Sequence, residues 1–405
     1  MATLAERYDA FLLDLDGVLY RGDEPVDGAP EAVEELRKLG KRIAFVTNNS
    51  SRTPAQVAEK LAGVGVSADP EEVVTSALAT AWTLARRGGG SAFVIGEAGI
   101  RTALAAHGIE VVDGTPERTD YVIVGWDRNA DYARLRTAAL LVQRGSSLVA
   151  TNADPSYPAP KGLWPGAGAL LAVVTTTLGR PPDEVIGKPH PTLYQIALER
   201  SGGGRPLVVG DRLDTDIAGA APLGWDSLLV WTGVAGPADL LRTPALPTFV
   251  GKDLSVLRSD PPTIRPARAH DSAAIEHLLA ATGLTEHGVE ERLADTFVAD
   301  REDRLAGTAS LELFGHAAHL RSVAVAEGLR RAHVGTLLVA RAVERARERG
   351  ARELYAVTED AAGFFERLGF ERIGGKDDLP EPIASTPMVR EHCSTSSEAL
   401  RLALG

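Results

Sequence analysis

The stretch Ala10-Phe11-Leu12-Leu13-Asp14-Leu15-Asp16-Gly17 decides how the first part of the chain folds. Its four leading apolar residues lack polar alternation, which predicts a buried strand of a parallel sheet. Two aspartates follow at the end of this strand, and open α/β sheets bind ligands at the carboxyl ends of their strands. We therefore expect Asp14 and Asp16 to lie in a binding crevice.

Apolar strands alternate with helical segments in the chain that follows this stretch. Residues 43–46, 206–209 and 227–230 are predicted as further strands, and residues 31–39 and 54–61 as helices. This alternation is typical of an α/β fold in which helices cover a parallel sheet.

The same pattern predicts where the domains begin and end. Residues 77–187 repeat it in smaller units and are predicted to form an α/β cap, inserted into a core made of residues 1–76 and 188–257. Two adjacent prolines, Pro261 and Pro262, cannot continue a helix or a central strand and indicate a linker. Residues 263–391, with antiparallel strands around a long helix, are predicted as an α+β domain, and residues 392–405 as a C-terminal tail.

Composition narrows the classes of function. A chain of 405 residues is long enough for more than one domain. Its net charge of -12 disfavours a protein that wraps nucleic acid, which needs a basic face. We expect no signal peptide and no transmembrane segment. The single cysteine, Cys393, cannot form an internal disulfide, so we expect a cytoplasmic protein.

Polar residues that follow the strands, or that lie in the loop before a later helix, should face one crevice. They are Asp14, Asp16, Thr47, Asn48, Lys188, Asp211 and Asp216. So many carboxylates repel one another unless a cation compensates them. A hard divalent ion with oxygen ligands does so, and a site of few carboxylates plus substrate phosphate suits Mg²⁺.

This set of residues favours phosphoryl transfer, which depends mostly on positioning and charge neutralisation. A carboxylate such as Asp14 can attack phosphorus. Asp16 lies on the same side of the strand and can exchange a proton with the leaving oxygen and then with water. Lys188 supplies a fixed positive charge, while Thr47 and the amide of Asn48 supply hydrogen-bond donors for phosphate oxygens.

Four segments carry a family resemblance through their order and separation. They are Asp14-x-Asp16-Gly17-Val18-Leu19-Tyr20, Thr47-Asn48-Asn49-Ser50, Gly187-Lys188-Pro189 and Gly210-Asp211-x-x-x-Thr215-Asp216. Together they resemble the four motifs of the haloacid dehalogenase (HAD) superfamily. The insertion, with residues 151–158 and 166–169, is similar to the cap of the NagD-like and nitrophenylphosphatase-like branch. The resemblance implies a Rossmann-like core and a magnesium-dependent phosphatase.

The resemblance also implies roles for individual residues. Asp14 would be the nucleophile and Asp16 the acid/base. Mg²⁺ would be held by Asp14, the backbone carbonyl of Asp16 and Asp211, with Asp216 orienting this cluster. The phosphoryl group would be bound by Thr47, Asn48 and Lys188.

The sequence gives fewer indications of which leaving group the site would bind than of how it would bind phosphate. Candidate contacts are Asn49 and Arg52 of the core and Asn152 and Asp154 of the cap. A cap that covers the site favours a small phosphorylated metabolite. Glycerol 3-phosphate, phosphoglycolate, sugar phosphates and nitrophenyl phosphate all stay open at this point.

The C-terminal part resembles a GNAT-type N-acetyltransferase through residues 320–326, 330–335 and 361–370. The resemblance implies that the loop with Arg330, Arg331 and Gly335 would hold the pyrophosphate of acetyl-CoA. Two positions depart from the family pattern. His333 stands where a glycine belongs, and Phe365 replaces the tyrosine that often acts as general acid. These departures favour a structural or regulatory module.

Three hypotheses follow for the whole chain. The first is a phosphatase whose C-terminal module assists folding, dimerisation or regulation, which leaves a homodimer open. The second is a bifunctional phosphatase and N-acetyltransferase, and the third is a phosphatase tuned by acyl-CoA binding. A phosphatase fused to a GNAT-like module is similar to the actinobacterial glycerol 3-phosphate phosphatases, and this architecture favours glycerol 3-phosphate.

Overall fold

A computed structural model describes residues 2–159, 162–301, 304–330 and 332–404. The chain divides into two compact units. One contains residues 5–227, and the other contains residues 228–404 with the first few residues of the chain. Within the described ranges, no helix combines the length and the apolar character needed to cross a bilayer.

The core of the first unit is a parallel sheet. Its strands lie in the order Pro206–Gly210, Ala10–Leu13, Arg42–Thr47 and Val73–Thr75. Apart from Arg42, every residue of these strands is buried, which is why they lack polar alternation. Short strands at Tyr20–Arg21 and Glu24–Pro25 form a separate antiparallel pair. The helices that belong to this part are Leu4–Arg7, Ala29–Lys38, Pro54–Gly63, Thr192–Arg200 and Ala218–Ala220.

The inserted cap has a parallel sheet of its own. Its strands lie in the order Glu184–Val185, Ser147–Ala150, Tyr121–Val124, Gly90–Ile95 and Ile109–Val111. An antiparallel pair, Ser156–Ala159 with Gly162–Pro165, lies apart from this sheet. The helices of the cap are Ser76–Arg86, Ala98–Ala106, Tyr132–Gln143 and Ala167–Leu178. The α/β fold class predicted for core and cap is confirmed.

The second unit is built on a seven-stranded sheet. Its strands lie in the order Thr263–Pro266, Thr296–Arg301, Arg304–Phe314, Ala317–Val325, Glu353–Thr358, Glu398–Ala403 and Glu371–Gly375. All neighbours are antiparallel except Ala317–Val325 and Glu353–Thr358, which are parallel. The helices are Ser272–Ala281, Val289–Arg292, Val334–Glu348, Ala362–Arg367 and Glu381–Ala384. The predicted α+β class is confirmed here.

The two compact units divide after residue 227, whereas the linker near residues 257–262 stays the predicted domain boundary. Residues 228–257 belong to the second unit, and in them Leu228, Leu229 and Val230 pair in parallel with Phe249–Gly251. The cause is apolar packing, since Leu240 and Leu241 are each 1% exposed and the helix Val334–Glu348 contacts both Asp239–Leu241 and Phe249–Gly251. Proline spacing alone does not reveal such contacts between distant segments.

The segment 392–405, which the sequence predicts as a tail, instead contains a strand of the second sheet. Glu398–Ala403 lies between Glu353–Thr358 and Glu371–Gly375 and pairs with both. Ala399 and Leu400 are fully buried. A serine-rich stretch precedes this short strand and gives it the local appearance of a loop, while both of its neighbours come from elsewhere in the chain.

Leu400→Ala tests the contribution of this strand to stability. Removing a fully buried leucine side chain should lower the free energy of unfolding by about 2–5 kcal/mol. Urea denaturation followed by circular dichroism measures the change. Arg401→Ala is the matched control, because the neighbouring side chain is 40% exposed and its loss should change stability by no more than about 0.5 kcal/mol. If both substitutions lower the free energy of unfolding equally, the strand Glu398–Ala403 does not lie between two other strands with Leu400 buried.

Candidate active site

The predicted polar residues of the first unit converge at the carboxyl ends of the core strands. Asp14 directly follows Ala10–Leu13, and Thr47 ends Arg42–Thr47. Lys188 comes from the loop before the helix Thr192–Arg200. Its ammonium nitrogen lies 2.5 Å from Oδ1 of Asp14. Residues that are far apart in sequence therefore share one site.

Three carboxylates surround this lysine. One oxygen from each of Asp14, Asp211 and Asp216 lies within 4.8 Å of the others. Oδ1 of Asp216 lies 2.7 Å from the Lys188 ammonium and also accepts a hydrogen bond of 3.0 Å from the hydroxyl of Tyr194. All three aspartates are buried. The cluster thus gathers three acidic groups around one ammonium group.

The electrostatics of the cluster follow from its burial. Burial lowers the pKa of Lys188, but the carboxylates of Asp14 and Asp216 outweigh this effect and hold the pKa above its usual value. The lysine is therefore cationic. Burial raises the pKa of Asp14 well above its usual value, Lys188 opposes this rise, and Asp216 and Asp211 add to it. The site has an excess of negative charge that one ammonium does not balance.

This donor set fits Mg²⁺. The ion is hard, prefers carboxylate and carbonyl oxygens, and would offset the charge excess of Asp14, Asp211 and Asp216. The carboxylate of Asp16 lies outside this group of three, which agrees with the expectation that Asp16 offers only its backbone carbonyl to the metal. These residues could therefore hold the metal that the sequence predicts.

Two glycines allow the close approaches that build the site. A Cβ on Gly210 would lie 2.2 Å from Cβ of Asp216, so only glycine lets that side chain pack against the strand end. A Cβ on Gly187 would lie 2.5 Å from the side-chain oxygen of Asn48. Both distances are far below a van der Waals contact, which explains why the Asp and Lys motifs each begin with glycine.

Asn48 holds the lysine loop against the core. Its Oδ1 accepts the backbone N–H of Lys188 at 2.8 Å, and its Nδ2 donates to the Lys188 carbonyl at 3.0 Å. The same Nδ2 donates to Oδ2 of Asp154 in the cap at 3.0 Å. The side chain of Asn48 therefore connects the lysine loop with the cap.

Asn152 also connects the cap with the core. Asn152 is 3% exposed, its Nδ2 donates to the Asn48 carbonyl at 2.7 Å, and its Oδ1 accepts the Asp154 N–H at 3.1 Å. Both ends of this amide are occupied within the protein. Asn152 thus bridges core and cap, and the leaving-group contact expected for it is not part of this geometry.

The other two candidate contacts lie in the loop after the second strand. Asn49 accepts hydrogen bonds from the backbone N–H and the hydroxyl of Ser51 at 2.9 and 2.8 Å, and its own N–H donates to the Thr47 hydroxyl. Arg52 is exposed and lines a cavity of about 450 Å³. Lys60 of the core and Arg128 of the cap also line this cavity. The geometry therefore supports Arg52 as a leaving-group contact more than Asn49.

Asp16 has partners that sequence reasoning missed. Part of the Asp16 residue is accessible to solvent, and Oδ2 accepts a hydrogen bond of 3.3 Å from the hydroxyl of Tyr20. The ammonium of Lys60 lies 3.8 Å from the centre of the Tyr20 ring. Burial raises the pKa of Asp16, and Lys60 and the Tyr20 hydrogen bond oppose this rise. Burial and the charge of Asp16 raise the pKa of Tyr20, so its hydroxyl stays a donor.

Tyr20, Lys60 and Tyr194 differ in how far the sequence alone could have identified them. Tyr20 stands inside the first motif and could have been found by asking what its hydroxyl contacts. Lys60 and Tyr194 lie on the helices Pro54–Gly63 and Thr192–Arg200, where nothing marks them apart from helical periodicity. Only the tertiary structure brings Tyr194 to Asp216.

The described residues of the predicted acetyl-CoA loop lie at the start of the long helix of the second unit. Arg330 is exposed, Gly335 lies in the first turn of the helix Val334–Glu348, and Arg331 lies outside the described residues. His333 caps this helix with a φ of 58°, and its ring lies 5.5 Å from that of Trp231. Phe365 is buried among aromatic rings. His333 stands where the resemblance expects a glycine, and a side chain there restricts the close approach of a phosphate to the backbone.

Comparison with known families matches both parts of the chain. Residues 11–110 match the family described as haloacid dehalogenase-like hydrolase, and residues 185–257 match a related HAD hydrolase-like family. Residues 264–370 match the acetyltransferase (GNAT) family. The C-terminal part is therefore a GNAT domain by its sequence and its fold.

Individual relatives extend this result. The chain is 41% identical over 253 residues to an acid sugar phosphatase of Staphylococcus aureus, which covers 62% of this chain and 96% of the relative. A glycerol phosphate phosphatase from Mycobacterium tuberculosis, crystallised with magnesium, is 32% identical, with a TM-score of 0.70 over 91% of this chain and 99% of that chain. A p-nitrophenyl phosphatase from Archaeoglobus fulgidus is 32% identical, with a TM-score of 0.59 over 62% and 98%.

Asn48→Ala tests the connection between the lysine loop and the cap. Loss of three side-chain hydrogen bonds should lower the free energy of unfolding by about 1–3 kcal/mol. Chemical denaturation measures the change. The exposed Asn129 provides the matched control, since Asn129→Ala should alter stability by less than about 0.5 kcal/mol. An Asn48→Ala protein as stable as this control would show that the three bonds contribute nothing.

Proposed function

This chain belongs to the haloacid dehalogenase-like hydrolases, and on that premise we propose that it hydrolyses small phosphate monoesters, with glycerol 3-phosphate as the favoured substrate, through an aspartyl-phosphate on Asp14. The observation that carries the proposal is the position of the Asp14 carboxylate. It lies at the end of a core strand, 2.5 Å from a lysine ammonium and beside two further buried carboxylates. Phosphoryl transfer needs such a positioned nucleophile and charge compensation.

The first half of the proposed reaction forms the covalent intermediate. A carboxylate oxygen of Asp14 attacks phosphorus while the bond from phosphorus to the leaving oxygen breaks. Asp16 gives its proton to the leaving oxygen, which departs as an alcohol. Lys188 and the hydroxyl of Thr47 bind the phosphoryl oxygens. Asn48 holds the lysine loop in place through its hydrogen bonds to Lys188.

The second half regenerates the enzyme. Asp16, now a carboxylate, takes a proton from a water molecule whose oxygen attacks phosphorus. The bond between phosphorus and the Asp14 oxygen breaks, and inorganic phosphate leaves. Mg²⁺, held by Asp14, the carbonyl of Asp16 and Asp211, with Asp216 behind them, would supply neutralisation of the phosphoryl charge.

Two observations support glycerol 3-phosphate among the candidate substrates. The glycerol phosphate phosphatase from Mycobacterium tuberculosis aligns with both parts of this chain, whereas the acid sugar phosphatase covers only the phosphatase part. The cavity of about 450 Å³ is lined by polar groups such as Arg52, Gln56 and Glu97, which suit a hydroxylated leaving group. Sugar phosphates, phosphoglycolate and nitrophenyl phosphate are the alternatives.

We assign the GNAT domain a structural or regulatory part in this function. Phe365 has no proton to donate, and His333 occupies the position of the phosphate-loop glycine. Acetyl-CoA is the ligand that the family match suggests, and bifunctional acetyl transfer is the alternative. The lone cysteine, Cys393, supports our proposal of a reducing, cytoplasmic setting.

The decisive experiment measures phosphate release from the four candidate substrates with Mg²⁺, and then with excess chelator. Asp14→Asn should reduce turnover to below about 0.1% of wild type with an unchanged circular dichroism spectrum, because the nucleophile is lost. Chelator should stop hydrolysis by the wild type.

Asp214→Asn is the matched control, since this aspartate lies between Asp211 and Asp216 in sequence, is 69% exposed and pairs with Arg212. It should retain activity within about twofold. Substantial turnover by Asp14→Asn would rule out the nucleophile assignment. If another ester releases phosphate faster than glycerol 3-phosphate, that ester becomes the favoured substrate, and the proposed reaction mechanism stands.

Tyr20→Phe should weaken catalysis in a way that depends on the leaving group. Without the Tyr20 hydrogen bond, the carboxyl group of Asp16 is less well positioned to give its proton. We expect a loss in kcat of about tenfold for glycerol 3-phosphate, whose alkoxide leaves poorly, and of less than about twofold for nitrophenyl phosphate. The exposed Tyr132 offers a control as Tyr132→Phe. An equal loss on both esters would indicate general structural damage instead of a positioning role.

A further inference from the structure

One face of the second sheet is polar although it is buried. In the adjacent strands Arg304–Phe314 and Ala317–Val325, Glu312 pairs with His319, and Ser310 pairs with Arg321. Residues two apart share a face of a strand, so these four side chains lie on the same side. Ser310, His319 and Arg321 are 3%, 2% and 6% exposed. Buried sheet faces are usually apolar, and this one carries a buried cation.

A second arginine joins this face from the short helix Val289–Arg292. Arg292 is 8% exposed, and its Nη2 donates to the carbonyl oxygen of His287 at 2.9 Å. Nη2 of Arg321 approaches the same oxygen at 3.4 Å. Two guanidinium groups therefore converge on one carbonyl oxygen, which places them side by side.

The charges of this cluster do not balance. Arg321 forms an ion pair of 2.8 Å with Glu312. In the described parts of the chain, no carboxylate lies within 4.0 Å of Arg292. Glu312 and the exposed Glu291 act on Arg292 only from beyond ion-pair distance, so two buried guanidinium groups share one close carboxylate, and a buried charge without a close counter-charge is costly. Burial and the charge of Arg321 lower the pKa of Arg292 to about 10.

Some hydrogen-bonding groups of this cluster also have no partner among the described residues. Nε of Arg292, Nε of Arg321 and Nδ1 of His319 are buried and have no hydrogen-bond partner among the described residues. Burial and the two arginines lower the pKa of His319 to about 3, so this ring is neutral. Donors on two cations point to a ligand that accepts several hydrogen bonds and carries negative charge.

We propose that Arg292 and Arg321 form a binding site for an oxyanion, either a carboxylate or a phosphate-type group, in the GNAT domain. The planar fork of a guanidinium group matches the oxygen geometry of both anions. The ligand would reach the cluster beside Glu312, whose side chain is 30% exposed. The exposed His287 and His392, with ring centres 6.0 Å apart, lie next to this opening. The site is independent of the phosphatase reaction.

Thermal unfolding of the full-length protein in sulfate and, separately, in acetate tests the site, with chloride used to keep the ionic strength constant. Wild type should show a saturable rise in Tm with at least one of the two anions, because the anion binds only the folded site. Saturation by acetate would identify a carboxylate site, and saturation by sulfate alone a phosphate-type site. Arg292→Met should lose the part of the saturable rise that comes from this site, whereas Arg341→Met, which removes a partly exposed arginine from the helix Val334–Glu348, should keep the full rise.

Glu312→Gln should strengthen anion binding instead of weakening it. This variant therefore tests the site even if the Arg292→Met protein does not fold. Removing the carboxylate that competes for Arg321 should lower the half-saturating anion concentration several-fold. Anion binding at the phosphatase site is common to all variants, so the rise that remains in Arg292→Met sets the background to subtract. A rise in Arg292→Met equal to that of wild type, or an unchanged half-saturating concentration of the subtracted rise in Glu312→Gln, would each overturn the proposal.

Discussion

The ammonium group of Lys188, held between the buried carboxylates of Asp14 and Asp216, is the contact on which the phosphatase unit depends. Buried charges are tolerated only when they are paired, so the loop of Lys188 must stay fixed against the strand ends that carry the aspartates. Asn48 fixes this loop through both of its side-chain ends. Glycines at positions 187 and 210 give the backbone the room that this arrangement needs.

Residues whose role follows from their own stretch of sequence could be predicted. Asp14, Thr47 and Asp211 each come at the end of an apolar strand, and parallel strands bring such ends together. The convergence with Lys188 and Asp216 in the structure agrees with that prediction, although the catalytic roles themselves stay predictions. The fold classes of both parts were predictable for the same reason, because long apolar strands and periodic helices are local patterns.

Residues whose role depends on tertiary contacts could not be predicted. Tyr194 looks like any buried helical residue until the fold brings its hydroxyl to Asp216. Asn152 looks like a cap residue that faces the substrate, yet its amide is used to join cap and core. The pair of Arg292 and Arg321 is a similar case, because each arginine alone is typical of a solvated surface and only strand register and helix packing bury them together.

The position of Glu398–Ala403 inside the second sheet also determines the order in which the protein can mature. A ribosome makes the chain from its N-terminus, and domains fold as units once their residues have emerged. Residues 5–227 can form their compact unit while the rest is still being made. The sheet of the GNAT domain cannot close until the strand Glu398–Ala403, the last of the described strands, is translated. Nascent chains therefore pass through a stage in which a folded first unit precedes an open, unpaired sheet.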